Sequence, residues 1–212
     1  MRRLPVYLLI DVSGSMAGEP IEAVNNGLQT MLSALRKDPH ALEQAYISLI
    51  AFETDVRQMN PLTEVAQFQI PALSAGGGTS LGAALSLAAK CAKDEVVKKT
   101  ESQSGDWKPL VFLMTDGDPT DELEKGLADF KNISWGIVVA CAAGAHANTA
   151  ILQKITENVI RLDTADSNSI AAFFRFVSSS ISTTSKKADG GKEAGGLNDL
   201  PPPPPEISLV KL

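Results

Sequence analysis

The chain has 212 residues, of which 44% are hydrophobic and 21% are charged. This composition is typical of a globular protein and supplies enough apolar residues for one sizeable core. The formal net charge of −6 at pH 7 argues against binding of nucleic acid or of an anionic membrane, because both need clustered Lys and Arg.

Short apolar runs alternate along the chain with longer segments of helical periodicity. Most of the short runs are continuously apolar, which is typical of parallel strands that are covered on both faces. After the second run, the turn "ETD" (53–55) leads into a short antiparallel edge strand that Asn60-Pro61 closes. The predicted strands are residues 6–10, 46–52, 56–59, 110–114, 136–140 and 159–162.

Apolar residues between these strands recur at intervals of three and four, as on one face of a helix. Glu19-Pro20 is expected to begin the first helix. Alternating strands and helices predict an α/β fold, a doubly wound, mostly parallel sheet with helices on both faces and one short antiparallel edge strand. The predicted helices are 21–35, a deeply buried one over 81–92, 123–130, 149–156, and a last one with Ile170, Phe174, Val177 and Ile181 on one face.

The composition changes after about Ser182. We predict a domain over residues 1–182 and, over 183–212, a flexible Gly/Lys-rich linker and a Pro-rich tail with a polyproline II segment at 201–205. Two alternatives remain for the tail. It is solvated and undocked, or Ile207, Leu209 and Val210 bind to a sheet edge or groove of this chain or of a partner.

The stretch "DVSGSM" follows the first predicted strand and places Asp11, Ser13 and Ser15 at its carboxyl end. Thr79 follows three glycines before the buried helix, and Asp116 follows the strand at 110–114. Ligands of doubly wound sheets bind at the carboxyl ends of the strands, where the strand order reverses. We therefore expect Asp11 and Asp116 to face a common point, surrounded by the three hydroxyl groups.

Two carboxylates and three hydroxyls form a set of hard oxygen ligands, which suits Mg²⁺, with Mn²⁺ or Ca²⁺ as alternatives, rather than zinc or copper. Mg²⁺ prefers six oxygen ligands, so five leave it under-coordinated, and it is also incompletely neutralised where only one carboxylate binds. The site therefore invites a carboxylate or phosphate from outside. Taken singly, the same residues have simpler explanations. Asp11, Ser13 and Ser15 suit a turn, Thr79 a helix cap, and Asp116 the turn acid of a "DG" pair.

The acidic residues after Asp116 are expected to open the next helix. Asp118, Pro119 and Asp121 fit an N-cap, a first-turn proline and an acid at the third helical position. For Asp118, a place in the outer shell of the metal is the alternative.

Cellular location is predicted from two cysteines and from two absent signals. Cys91 and Cys141 lie in apolar runs and are expected to be buried thiols in a reducing compartment. The apolar stretch that follows "MRR" stops at Asp11 without the pattern of a cleavable signal peptide. No run approaches the ~20 residues of a membrane span. We expect a cytoplasmic protein.

The motifs "DVSGS", a Thr in "GGGTSLGAAL" and "LMTDGDPTD" resemble the von Willebrand factor A domain family over about residues 4–181. Their residues match the metal-ion-dependent adhesion site of that family. The resemblance implies that Ser13 and Ser15 bind the metal directly and that Asp11 and Asp116 act directly or through water. It further implies that Thr79 binds directly in one state and through water in another, and that an acidic residue of a partner completes the coordination.

Within the family, "YLLIDVSGSM" and the two later motifs are most similar to small bacterial cytoplasmic proteins of the TerY type. That resemblance implies a role in tellurium resistance or a related stress response, with kinase-like and phosphatase-like partners.

These observations predict a non-enzymatic, Mg²⁺-dependent protein-binding module without catalytic residues, which captures an acidic or phosphorylated group of a partner protein. One alternative is a Mg²⁺-dependent phosphohydrolase with Asp11 as nucleophile, although its general acid two residues on would be Ser13 and no Lys follows Asp116 in its loop. Another alternative is a scaffold that is regulated by phosphorylation of "SSSISTTS" (178–185).

Overall fold

The computed structural model of the chain describes residues 2–102, 104–192 and 197–210. It has an α/β fold in which one sheet lies between two layers of helices. The strands are β1 (Leu4–Asp11), β2 (Ala45–Phe52), β3 (Val56–Glu64), β4 (Leu110–Thr115), β5 (Val138–Ala143), β6 (Val159–Leu162) and β7 (Ser208–Leu209). The helices are α1 (Glu19–Lys37), α2 (Pro39–Gln44), α3 (Leu81–Glu95), α4 (Leu123–Lys131), α5 (Thr149–Ile155) and α6 (Ser167–Asp189).

The strand order is β3-β2-β1-β4-β5-β6-β7. The five central strands, β2, β1, β4, β5 and β6, run parallel, whereas β3 and β7 are antiparallel to their neighbours at the two edges. The order reverses between β1 and β4, which places a crevice at their carboxyl ends. The predicted fold is confirmed, with β7 as an additional antiparallel edge strand.

Both faces of the sheet are covered, which explains the continuous apolar runs. Val6, Leu8 and Ile10 of β1 pack in a cluster with α1 and α6, while Tyr7 and Leu9 pack in a second cluster with α3, α4 and α5. Every residue of β1 is buried. A strand between two helical layers has no solvent-facing side on which a polar residue would be favoured.

Helices α1 and α6 are joined along their length. A Cβ atom on Gly27 would lie 2.2 Å from the ring of Phe174, so only glycine allows this close packing. Near the start of both helices, the Glu19 carboxylate accepts hydrogen bonds from the backbone and hydroxyl of Ser167, at 3.0 and 2.9 Å. At the other end, Lys186 forms an ion pair with Asp38 at 3.6 Å.

Two strands differ in extent from the prediction. β3 continues through Pro61 to Glu64, so the prediction that Asn60-Pro61 closes it is wrong. A proline is tolerated because β3 is an edge strand and its pairing with β2 is irregular between Ile47 and Ile50. β5 begins at Val138 rather than at residue 136, and the backbone N–H of Gly136 instead bonds to Pro109 O.

The helices agree with the prediction within a few residues, and Glu19-Pro20 begins α1 as expected. The short helix α2 was not predicted, although Asp38 caps it by accepting hydrogen bonds from the backbone of His40 and Ala41. The prediction of a flexible linker from residue 183 is wrong for 183–189, because α6 continues to Asp189. Thr184 and Ser185 are buried on the helix.

The described part of the tail is docked, so the second alternative applies within this chain. Ser208–Leu209 pairs with β6, and the backbone N–H of Val210 bonds to Val159 O at 2.9 Å. Leu200 and Ile207 are buried. Lys187 pairs with Asp199 at 2.7 Å, and Arg175 with Glu206 at 3.5 Å, which ties the tail to α6. Residues 193–196 and 211–212 of the predicted linker and tail lie outside the described residues.

Within the described residues, no helix combines the length and the apolar character that crossing a membrane requires.

Candidate metal centre

The residues predicted to form a metal site lie at the carboxyl ends of β1 and β4, which are neighbours at the point where the strand order reverses. Asp11 is the last residue of β1, and Ser13 and Ser15 lie in and beside the 3-10 turn at 14–16 that follows it. Asp116 comes directly after β4. The parallel pairing of β1 with β4 brings the two turns together.

Asp11 is completely buried and both of its carboxylate oxygens are engaged. Oδ1 accepts a hydrogen bond from the backbone N–H of Ser13 at 2.8 Å, and Oδ2 accepts one from the hydroxyl of Thr115 at 2.5 Å. Burial raises the pKa of the Asp11 carboxyl above its ordinary value, and the hydrogen bonds from Ser13 and Thr115 oppose that rise. A nearby positive charge would stabilise the ionised form.

A chain of short oxygen contacts links Ser13, Ser15 and Asp116. The hydroxyls of Ser13 and Ser15 lie 3.0 Å apart, and the Ser15 hydroxyl donates to Asp116 Oδ1 at 2.7 Å. Burial also raises the pKa of the Asp116 carboxyl, while the hydrogen bond from Ser15 lowers it. Four of the five predicted residues are therefore joined by hydrogen bonds to one another or to a shared neighbour.

Thr79 reaches the same place from a third loop. A methyl group placed on Gly117 would lie 3.8 Å from Thr79 Oγ1 and 4.0 Å from Ser15 Oγ. Thr79 is only 5% exposed, and no hydrogen bond joins its hydroxyl to another of the residues that the structure describes. It is not a helix cap, because Ser80 occupies the N-cap position of α3.

The glycine-rich loop before Thr79 packs directly against the turn after β1. The backbone N–H of Gly14 bonds to Gly77 O at 3.0 Å, and that of Gly76 bonds to Val12 O at 2.9 Å. Gly77 has a φ of +69°, a conformation that residues with a Cβ rarely adopt. The glycines therefore permit a close approach of the two loop backbones.

The loop after β4 holds the backbone of Thr79 in place. Its acidic residues do not open α4 as the sequence predicted. Thr120 accepts a hydrogen bond from Thr79 N and donates its own backbone N–H to Thr79 O, both at 2.9 Å. α4 begins only at Leu123, with Glu122 in the N-cap position. The assignment of Asp118, Pro119 and Asp121 as the N-cap and first turn of that helix is therefore wrong.

Asp121 instead caps a different helix. Its carboxylate accepts hydrogen bonds from the backbone N–H groups of Gly82 and Ala83, at 3.0 and 2.8 Å, at the start of α3. This pairing spans almost forty positions, so no local sequence pattern indicates it. The role of Thr115 was also missed, although it sits beside Asp116 in "TDG". Asp118 is exposed and has no hydrogen bond or ion pair to a described residue.

The five side chains offer only oxygen atoms, which suits a hard divalent cation. The described residues contain no group of three or more His, Cys, Asp or Glu arranged to hold a metal, so a site here depends on the hydroxyls as well as on the two carboxylates. Cys91 and Cys141 are buried and free. Burial raises the pKa of the Cys91 thiol to about 11 and also raises that of Cys141.

Comparison with protein-family models identifies a family for most of the chain. Residues 6–184 match the model of the von Willebrand factor type A domain, which is more than four fifths of the chain. Among curated proteins, none matches significantly.

Solved structures share the fold at low sequence identity. A von Willebrand factor type A protein from Catenulispora acidiphila is 17% identical, with a TM-score of 0.65 over 86% of this chain and 43% of that one. The pilus adhesin SpaC from Lactobacillus rhamnosus GG is 15% identical, with a TM-score of 0.67 over 86% of this chain and 31% of that one.

Proximal thread matrix protein 1 from the mussel byssus, solved with a zinc-occupied MIDAS motif, is 18% identical, with a TM-score of 0.59 over 84% of this chain and 45% of that one. The chain thus spans less than half the length of each of these three structures.

Proposed function

The chain belongs to the von Willebrand factor type A domain family, and from that premise we propose that it is a protein-binding module that uses a divalent cation to capture an acidic group of a partner. Asp11, Ser13, Ser15, Thr79 and Asp116 would hold the cation. The mussel protein, whose MIDAS motif holds zinc, supports divalent metal binding in this fold.

The observation that carries the proposal is the state of the Thr79 hydroxyl. The side chain of Thr79 is nearly buried, but its hydroxyl oxygen is not among the buried atoms that lack a hydrogen-bond partner, so it is open to a partner or a metal from outside. The Thr79 hydroxyl has no hydrogen-bond partner among the described residues, yet it lies beside the row formed by Ser13, Ser15 and Asp116. A cation between the two would give it a partner.

The surrounding residues prepare this ligand set. Thr115 and the backbone of Ser13 hold the Asp11 carboxylate in one orientation. Thr120 holds the backbone of Thr79. A bound divalent cation supplies positive charge that attracts a carboxylate or phosphate. Because Ser15 is exposed and Asp116 is partly exposed, such a group can approach from solvent.

We propose Mg²⁺ as the native metal, with Mn²⁺ and Ca²⁺ as alternatives. All five ligands are oxygen atoms, and Mg²⁺ prefers oxygen ligands and retains positions for others. Zinc is more often held by His and Cys, neither of which is among these five residues.

We further propose that the module acts in the cytoplasm of a bacterium, in a tellurium-resistance or related stress system, with a kinase-like or phosphatase-like protein as partner. The sequence of the first motif, "YLLIDVSGSM", resembles that of TerY-type proteins and supports this proposal. The two buried, unpaired thiols support a reducing compartment.

The phosphohydrolase alternative is less well supported. A carboxylate nucleophile needs an oxygen that is free to attack phosphorus. Asp11 is completely buried and both of its oxygens accept hydrogen bonds. With aryl phosphate and Mg²⁺, we expect no turnover above that of Asp11→Ala, and turnover that this substitution abolishes would favour the enzyme.

Regulation by phosphorylation at 178–185 is also less well supported. Ser180, Thr184 and Ser185 are buried on α6, so a kinase would need to unwind the helix to reach them. Ser179 is exposed. Mass spectrometry of protein from its native host tests this alternative, and phosphate on Ser179 would support regulation by phosphorylation.

The proposed function is tested by pull-down from a lysate of the native host. Partners captured with Mg²⁺ should be lost with EDTA and with Thr79→Ala, whereas Asp118→Ala should retain them. If the partners persist with EDTA, binding uses another surface and the proposal is wrong. Loss of both the partners and Mg²⁺ binding with Asp118→Ala would place Asp118 in the outer shell of the metal.

A further inference from the structure

The loops around the proposed metal site are strongly acidic. Residues 11–19, 53–55, 115–122 and 163–166 lie at the carboxyl ends of β1, β2, β4 and β6, at the same edge of the sheet. They contain two, two, four and two acidic residues respectively, which is ten of the 25 in the chain, and no Lys or Arg. This edge is therefore much more negative than the net charge of −6 suggests.

Some of these acids have a structural role. Asp121 caps α3, and Asp166 caps α6 by accepting a hydrogen bond from Ser169 N at 2.9 Å. Glu19 accepts hydrogen bonds from Ser167. Helices begin at this edge, and their positive N-terminal ends favour negative side chains. The helix starts thus explain part of the charge.

Three acids are not explained in this way. Asp118, Glu122 and Asp163 are exposed, and no hydrogen bond or ion pair joins their side chains to a described residue. Glu122 occupies the N-cap position of α4, but its side chain makes no capping bond. We name Asp118, Glu122 and Asp163 the acidic rim.

The acidic rim flanks the proposed site. Thr120, between Asp118 and Glu122, is hydrogen-bonded to Thr79. Asp163 follows β6, two strands from β4, which is roughly 10 Å across the sheet. Among the basic residues near these loops along the chain, Arg57 pairs with Asp55 at 3.3 Å and Arg161 donates to Ala145 O at 3.4 Å. Lys125 is exposed on α4, three positions after Glu122.

A second observation points to a ligand at the centre of this surface. Thr79 is only 5% exposed, and its hydroxyl, which has no partner among the described residues, lies beside Ser15 and Gly117 and remains open to a ligand. A ligand that is drawn to this point meets two opposing fields. Its own acidic group is attracted to the cation, whereas its flanking residues face the carboxylates of the rim.

We propose that the partner presents its acidic ligand group from a basic surface, as one Asp or Glu side chain flanked by Lys or Arg that pair with the acidic rim. This inference rests on the proposed function. Charges interact over about 8 Å at physiological ionic strength, so residues a few positions from the ligand group feel the rim. Such complementarity increases the association rate and disfavours partners whose acidic group lies among other acids.

Selection from a random peptide library displayed on phage tests the inference. The full chain is immobilised with Mg²⁺, and bound phage are eluted with EDTA, which selects metal-dependent binders. We expect the eluted peptides to contain one Asp or Glu with an excess of Lys and Arg nearby, relative to the input library. EDTA-eluted peptides with neutral or acidic flanks would overturn the inference.

Two variants distinguish failure of this inference from failure of the proposed metal-dependent binding. With Thr79→Ala, EDTA elution should recover few peptides, and recovery equal to that of the unchanged chain would contradict the proposed function itself. The triple variant Asp118→Asn, Glu122→Gln and Asp163→Asn should still yield EDTA-eluted peptides but without the basic excess. It should bind a basic-flanked peptide roughly tenfold more weakly. A basic excess that persists in the triple variant would contradict the role of the rim.

Discussion

Thr79 differs from the other proposed ligands in having no hydrogen bond to its hydroxyl among the described residues. We therefore predict that Thr79→Ala weakens Mg²⁺ binding by roughly tenfold or more without lowering the stability of the metal-free protein. Calorimetric titration with Mg²⁺ measures the affinity. Thr79→Ser keeps the hydroxyl and should retain most of the affinity, so equal loss in both variants would argue against a hydroxyl ligand.

Gly77 and Gly76 provide a matched pair in the loop that contacts the turn after β1. A Cβ atom on Gly77 would lie 2.2 Å from Glu53 Oε2 and 2.5 Å from Thr54 Oγ1, at a φ of +69°, whereas one on Gly76 would meet nothing within 4 Å. We expect Gly77→Ala to lower the free energy of unfolding by about 1–3 kcal/mol, and Gly76→Ala to change it little. Urea denaturation measures both, and equal effects would contradict the loop structure.

The two buried carboxyls predict how metal binding depends on pH. Burial raises the pKa of both Asp11 and Asp116, so protons compete with the cation at higher pH than for exposed carboxylates. We expect Mg²⁺ affinity to fall as the pH is lowered from about 7.5 to about 5. Calorimetry at the two pH values tests this, and an affinity that does not change would show that neither carboxylate binds the metal.

The raised pKa values of Asp11 and Asp116 also determine how the stability of the metal-free protein changes with pH. A carboxyl whose pKa is higher in the folded than in the unfolded state binds more protons when folded, so its contribution to stability decreases as the pH rises through that interval. Unfolding in EDTA should show this decrease relative to the variant Asp11→Asn. An increase would mean that the Asp11 pKa is lowered instead.

At the level of elements, the start of α3 depends on a residue from another loop. Asp121 accepts hydrogen bonds from the backbone of Gly82 and Ala83, while the neighbouring Glu122 makes no capping bond. We predict that Asp121→Ala lowers the free energy of unfolding by about 1 kcal/mol and that Glu122→Ala changes it little. Thermal or urea unfolding distinguishes the two variants. A larger loss of stability with Glu122→Ala than with Asp121→Ala would indicate that Glu122 caps α4 and that Asp121 does not cap α3.

The elements that the sequence predicted well are those that local physics determines. The continuous apolar run before Asp11 predicts a strand buried on both faces, and the carboxyl-end rule then brings the turn after it close to Asp116. The elements that differ depend on long-range contacts. Asp121 caps a helix that precedes it by almost forty positions, β3 continues through Pro61 because it lies at an edge, and β7 exists only through its pairing with β6.

At the scale of the whole molecule, the docked tail completes the sheet by covering the edge of β6. Ile207 is 6% exposed, whereas Leu209 is 46% exposed, although both belong to the same short segment. We predict that Ile207→Ala lowers the free energy of unfolding by about 2 kcal/mol, and that Leu209→Ala has a much smaller effect. Urea denaturation provides the measurement. Equal, small effects would show that the tail is undocked in solution.

The joined pair of helices has a mechanical consequence. α1 follows directly from the turn that carries Ser15, and it is fastened to α6 at Glu19, at Gly27 and through Asp38. Tension that a bound partner applies to Ser15 would therefore be shared between both helices and, through Arg175 and Lys187, with the docked tail. A pulling load is thus spread over one face of the domain instead of being concentrated on a single loop.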